Sequence, residues 1–266
     1  GPTGGGPVVV MEAGAFGLSA DWGAVQVRLA ARGIRSCAYD RAGLGRSDPG
    51  PSPRDGVAVA SDFEAMLAAS GEPGPYIYVG HSMAGLYARL FTGRNPDRVA
   101  GLVLVDAATP EAAEIPGATK FISGFATASR LAGWGATIGL FRPVSPWMGD
   151  RIGLPPDAAA DKRRAFGSGV HNRWAAREVA QWMAASSQAG ELPGYAPSLP
   201  VAVVTAGPEA GREAWKRFQT APARASTRGY VRNVDAAGHA TLLGEGFADE
   251  IVKAVLFVRG DGAATE

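Results

Sequence analysis

The chain is poor in the residues that hold metals and disulfides. Its 266 residues include one cysteine, Cys37, and three histidines, His81, His171 and His239. One thiol cannot form an intramolecular disulfide. Cys37 lies in an apolar run and is expected to be a buried, inert thiol. Three scattered histidines and a lone cysteine do not make a zinc site, so neither metal nor cofactor is expected. No apolar run reaches the roughly 18–20 residues needed to span a bilayer. The formal net charge is only +1, which removes the electrostatic case for nucleic acid or a strongly acidic partner. A soluble, cytoplasmic protein that acts on a small molecule is the expectation, with oligomeric state left open.

What is present suits a sizeable core: 46% of residues are hydrophobic. Gly1-Pro2 resembles a protease-cleavage scar and carries no fold information. Short β-branched runs at 7–11, 34–39, 76–80, 99–105, 201–205 and 230–234 read as buried strands. Helical patterns separate several of them, at 21–31, 56–70, 212–218 and 247–257, and another starts directly after Ser82. Asp21 is the expected N-cap of the first. This alternation predicts an α/β fold, a mostly parallel sheet covered by helices on both faces. It stops between 107 and 199, where helical patterns at 121–131, 158–166 and 173–189 are broken by Pro and Gly. The expected organisation is a body of 1–106 and 200–266 with an inserted helical cap at 107–199.

The most informative stretch is Tyr76-Ile77-Tyr78-Val79-Gly80-His81-Ser82-Met83-Ala84-Gly85. An apolar strand runs straight into a helical pattern, with a serine at the turn and small residues around it. That is the pattern of a nucleophile elbow, in which the hydroxyl projects above the end of a sheet. Serine needs a base to become a nucleophile. His81 adjoins Ser82, and its side chain should point away from the hydroxyl. His171 falls in the expected cap and reads as a surface residue. His239 follows the last strand in Ala237-Gly238-His239 and is the expected base, with Gly238 allowing a tight approach.

The base needs a carboxylate to fix its tautomer. Asp106 follows one strand directly, and Glu209 follows the next. The shorter, better fixed Asp106 is favoured, with Glu209 as the alternative acid. The oxyanion donors expected are the backbone N–H groups of Ala15, in the loop after the first strand, and of Met83. The loop Asp40-Arg41-Ala42-Gly43-Leu44-Gly45-Arg46-Ser47 lacks the spacing and the Lys-Ser/Thr ending of a phosphate-binding loop, and reads as a turn held by Asp40. Lys162-Arg163-Arg164, Arg173 and Arg177 read as solvated helix faces.

Taken together, Gly14-Ala15, the Asp40–Ser47 segment, Gly80-His81-Ser82-Met83-Ala84-Gly85, the run from Asn95 to Asp106, and Gly238-His239 resemble the α/β-hydrolase superfamily, specifically its capped serine hydrolases. The order Ser82, Asp106, His239 matches the Ser, acid, His order of that family. Some members carry the acid after this strand and others after the next. The resemblance implies a serine-dependent, carboxylesterase-like hydrolase working through an acyl-enzyme. Lactone, thioester, amide or carbon–carbon hydrolysis and acyl transfer use the same residues, and a receptor-like protein can retain them. An elbow serine in place of aspartate excludes the family's aspartate-type epoxide and halide chemistry. Three departures stand out. Ala84 occupies the usual second elbow glycine, Glu12-Ala13-Gly14 stands where a His-Gly pair is common, and the two antiparallel strands that often open the family are missing or trimmed. Aromatic residues at 107–199, among them Phe121, Trp134, Trp147 and Trp182, favour an apolar ester part.

Overall fold

The computed structural model describes residue 1 and residues 5–261. The Gly1-Pro2 reading falls in part outside them. Six strands form one sheet: β1 (Val9–Glu12), β2 (Ser36–Ala38), β3 (Tyr76–His81), β4 (Val99–Val105), β5 (Val201–Ala206) and β6 (Gly229–Val234). Their spatial order is β2-β1-β3-β4-β5-β6, and every adjacent pair is parallel. The body helices are α1 (Gly23–Ala30), α2 (Gly56–Ser70) and α3 (Ala84–Arg94), together with α9 (Glu213–Ala225) and α10 (Ala248–Arg259). Between β4 and β5 lie α4 (Ala118–Thr137), α5 (Ser145–Met148), α6 (Pro156–Phe166), α7 (Gly169–Ala180) and α8 (Trp182–Gly190).

The sheet's period of two divides its apolar residues between two cores. Val9, Met11, Ile77, Val79, Val103, Val105 and Val204 face α1 and α10, meeting Val25, Leu29, Ile251 and Val255. Val10, Tyr78, Leu102, Leu104 and Val203 face the other way, meeting Phe63 of α2 and Phe91 of α3. Burial on both faces explains why the central strands are apolar at nearly every position rather than alternating.

Several local expectations are corrected. Asp21 does not cap α1. It lies inside a 3-10 turn, Ser19–Trp22, where its carboxylate accepts from the Leu18 N–H and from Lys162 of α6 at 2.8 Å. Lys162 is therefore not solvated; its ammonium also donates to the Phe16 carbonyl at 3.0 Å. The pattern at 173–189 is two helices, because the chain breaks at Gln181 between α7 and α8. Cys37 is only half-buried.

His171 is not a surface residue. It is 3% exposed, and its Nδ1 accepts the Gly45 N–H at 3.0 Å, tying α7 to the Asp40–Ser47 turn. Burial, and then the charge of Lys162, hold its pKa down at about 4. A buried base with a lowered pKa takes its proton more readily in the unfolded chain. Its contribution is therefore intact above about pH 6.5 and is lost as pH falls toward 4. The shift predicts a loss of about 2 kcal/mol between about pH 7 and about pH 5 from this residue. Urea unfolding of His171→Gln, which keeps an acceptor but cannot titrate, should show a correspondingly shallower fall over that interval. An unchanged pH dependence would refute this assignment.

Candidate active site

β3 delivers Ser82 to the carboxyl end of the sheet. The chain must then reverse into α3 at once, which forces Ser82 to a φ of 55°. Left-handed backbone is costly for a residue with a Cβ and is tolerated where the surroundings over-determine it. Here they do: the Ser82 N–H donates to Val105 O at 3.1 Å, and Ser82 O accepts from Gly85 N and from Ala108 N. Gly85 has no room for a side chain, since a Cβ there would lie 2.2 Å from Ala108 O. Ala84, by contrast, begins α3 fully buried among Leu86, Met83 and Tyr87. The methyl group is thus accommodated at the position where a glycine is usual.

Asp106, the residue after β4, also has positive φ, 42°. Its Oδ2 accepts from His239 Nδ1 at 2.6 Å, and His239 Nε2 lies 2.9 Å from Ser82 Oγ. The three side chains form one continuous hydrogen-bonded line across the ends of β3 and β4 and the loop after β6. The second carboxylate oxygen of Asp106 accepts from Gln219 Nε2 at 3.0 Å and from the Ala206 N–H at 3.3 Å. Burial raises the Asp106 pKa, but these donors and the His239 imidazole outweigh it and leave the carboxyl at about 2. The group is therefore ionised throughout the neutral range. Glu209 is exposed, and its carboxylate has no hydrogen-bond partner among the described residues.

His239 is held from behind by His81. The His81 Nε2–H donates to the His239 carbonyl at 3.0 Å, and the two rings are 4.5 Å apart. Burial, and then the neighbouring His239, lower the His81 pKa to about 3, so it serves as a neutral donor. The Gly238 N–H donates to Thr241 Oγ1 at 2.8 Å, and a Cβ on Gly238 would lie 3.3 Å from that oxygen.

The loop after β1 approaches the elbow so closely that a Cβ on Gly14 would fall 2.6 Å from Ser82 Cβ. Among the described residues, neither the Ala15 N–H nor the Met83 N–H has an acceptor. The support for this loop was not legible in the sequence. Arg41, 3% exposed, donates to Gly14 O at 2.8 Å and also to Ala13 O. Its guanidinium is paired with Glu178 of α7, fully buried, at 2.8 Å. Glu12 lies on the same cluster and accepts from Tyr39 OH at 2.6 Å and from Tyr78 OH. The unusual Glu12-Ala13-Gly14 segment is thereby explained: its acid fills a buried polar cluster rather than facing the serine. Asp40 holds the adjoining turn, accepting from Ser19 N at 2.7 Å and Arg46 N at 2.9 Å.

Two cavities meet at Ser82 and His239. One, of about 610 Å³, is bounded by Ile115, Pro116, Phe121, Trp182 and Trp215 and is mainly apolar. The other, of about 230 Å³, lies against Ala15, Met148, Arg151 and Lys162. Of the aromatic residues noted in the sequence, Phe121 and Trp182 border the larger cavity, whereas Trp134 and Trp147 are exposed.

A parallel sheet with an elbow serine at its carboxyl edge defines a protein of the α/β-hydrolase fold. The comparisons agree. A family model described as "alpha/beta hydrolase fold" matches residues 7–125. The fold also matches that of a thermophilic esterase from Thermogutta terrifontis, with a TM-score of 0.65 at 20% identity over 97% of this chain and 92% of that one. The chain has the α/β-hydrolase fold, and its residues 7–125 are similar to that family. Among curated relatives, a protein named "Probable transporter efuK" from Hormonema carpetanum is 39% identical over 109 residues, 40% of this chain and 16% of that protein. An uncharacterised protein from Schizosaccharomyces pombe is 29% identical over 194 residues, 71% of this chain and 33% of that one. The chain thus matches a third or less of the length of these relatives. Among the described residues, no helix is long and apolar enough to cross a membrane.

Proposed function

We propose that this protein is a serine hydrolase that cleaves carboxylic esters with an apolar acyl or alcohol part. The observation that carries the reading is the Ser82–His239–Asp106 hydrogen-bonded line opening directly into a mainly apolar cavity of about 610 Å³. The likeness in fold to a named esterase supports it.

In this reading Ser82 Oγ attacks the ester carbonyl carbon while its proton passes to His239 Nε2. The oxyanion is held by the Ala15 and Met83 N–H groups, and each such donor is worth about 2.7–4 kcal/mol in other hydrolases. The tetrahedral adduct collapses, and His239 gives the proton to the departing alcohol. Water, deprotonated by His239, then attacks the acyl-enzyme and releases the acid and Ser82. Asp106 keeps the Nδ1–H tautomer of His239 and steadies the imidazolium. Segment 107–199 acts as a cap over the body formed by 1–106 and 200–266. Phe121 and Trp182 of that segment supply apolar contact to the substrate.

The test is a chain-length series of p-nitrophenyl esters. Each methylene buried in the larger cavity contributes about 0.8 kcal/mol, so kcat/KM should rise about threefold to fourfold per methylene from acetate until the cavity is filled. No turnover across the series would overturn the ester reading. A flat or falling series would overturn the apolar specificity.

A further inference from the structure

One face of α7 bears on the Asp40–Ser47 turn. His171, Trp174 and Glu178 follow one another at spacings of three and four, so they share one side of the helix. All three are buried. His171 accepts the Gly45 N–H. Trp174 packs so closely on Gly43 that a Cβ there would fall 2.2 Å from its Cγ. Glu178 meets Arg41.

Arg41 divides its N–H groups between two neighbours. Its Nε–H and one Nη2–H go to the Glu178 carboxylate, at 3.1 and 2.8 Å. The second Nη2–H goes to Gly14 O at 2.8 Å, and Nη1 donates to Ala13 O. Both carbonyls lie in the loop that leads to Ala15. In a trans peptide the C=O and the following N–H point in opposite directions. Holding Gly14 O toward Arg41 therefore turns the Ala15 N–H away from it. That N–H has no acceptor among the described residues, as an oxyanion donor requires. Gly14 O also accepts the Gly17 N–H at 3.0 Å, a bond internal to the loop. Arg41 ties the loop to its surroundings: its guanidinium lies 5.4 Å from the ring centre of Tyr87 in α3, the helix that follows Ser82.

We infer that Glu178 is a positioning residue for the Ala15 oxyanion donor, acting through Arg41. The inference rests on the serine-hydrolase reading above. Glu178 neutralises the buried guanidinium and fixes its plane, and a guanidinium presents its donors as a rigid fork. The other arm of that fork sets the Gly14–Ala15 peptide. The oxyanion site is therefore complete only with α7 seated on the Asp40–Ser47 turn. An error of about 1 Å in placing such a group costs on the order of 10²-fold in rate.

The experiment compares p-nitrophenyl butyrate with its thiono analogue, in which sulfur replaces the carbonyl oxygen. Sulfur is a weak acceptor, so the ratio of the two rates reports how well the oxyanion donors are placed. Glu178→Met strips Arg41 of its partner. Arg41→Met/Glu178→Met removes both charges together and leaves none buried without compensation. Each should lower kcat for the oxoester about 10²-fold with KM within about threefold, and lower the oxo-to-thiono ratio at least tenfold. The double variant should lose no more of the ratio than the single one, because the two residues act in series. Both esters are read on one sample, so a smaller folded fraction lowers the two rates equally and leaves the ratio unchanged. A wild-type ratio in either variant overturns the role of Glu178. A wild type that hydrolyses neither ester overturns the serine-hydrolase reading instead.

Discussion

Ser82→Ala should lower the turnover of p-nitrophenyl esters by about 10⁵-fold or more while leaving the fold intact, as loss of a nucleophile does in other serine hydrolases. Ser82 Oγ is the atom that lies 2.9 Å from His239 Nε2 and borders both cavities. Alanine removes that oxygen and little else, because Ser82 is held by backbone bonds to Val105, Gly85 and Ala108 that survive the change. The left-handed φ at Ser82 costs alanine and serine alike, so stability should move by less than about 1 kcal/mol. Labelling by a fluorophosphonate should disappear in parallel with turnover. Residual activity near the wild-type level, or labelling elsewhere, would exclude Ser82 as the nucleophile and with it the acyl-enzyme reading.

The second large effect is expected at Asp106. Asp106→Asn places an amide where His239 Nδ1 now donates to a carboxylate at 2.6 Å. The amide nitrogen or the flipped ring then presents the wrong tautomer to Ser82, a change that costs about 10⁴-fold in kcat in a Ser-His-Asp enzyme. Ionisation of Asp106 is secured by Gln219 and the Ala206 N–H, so the native group supports His239 across the whole neutral range. Glu209→Gln should change kcat by less than about twofold, as expected of an exposed carboxylate without hydrogen-bond partners among the described residues. The two variants compared side by side identify the acid. If Glu209→Gln loses activity by orders of magnitude and Asp106→Asn does not, the roles are reversed.

Much of this was legible in the chain. The runs at 99–105 and 201–205 become β4 and β5 almost residue for residue, because strands buried on both faces have no polar position to blur their ends. The turn at Ser82 was readable because only small residues fit there. The difference between Asp106 and Glu209 was not, since both follow strands. What separates them is that Gln219, from the middle of α9, reaches back to Asp106, while no group among the described residues hydrogen-bonds the Glu209 carboxylate. A glutamine in a helix carries no local signal of such a contact.

His171 shows the same limit from the other side. A polar residue in a helix rich in charge reads as solvated, and only the packing of α7 against the Asp40–Ser47 turn buries it. The Arg41–Glu178 pair spans 137 positions and no periodicity links its members. Removing either partner would leave a buried charge uncompensated, a loss of about 3–5 kcal/mol in comparable pairs.

The sequence by itself determined the parallel sheet and the elbow, and pointed to Ser82 and His239 at the ends of strands. These follow from rules that act within a few residues: apolar periodicity, steric room at a turn, and the position of a residue after a strand. The tertiary structure alone decided which carboxylate meets His239 and that His81 steadies it through a carbonyl. It also decided that Arg41 fixes the loop of Ala15. Each of those depends on contacts between segments far apart in the chain, and the pairing of distant polar groups leaves no pattern in the order of residues.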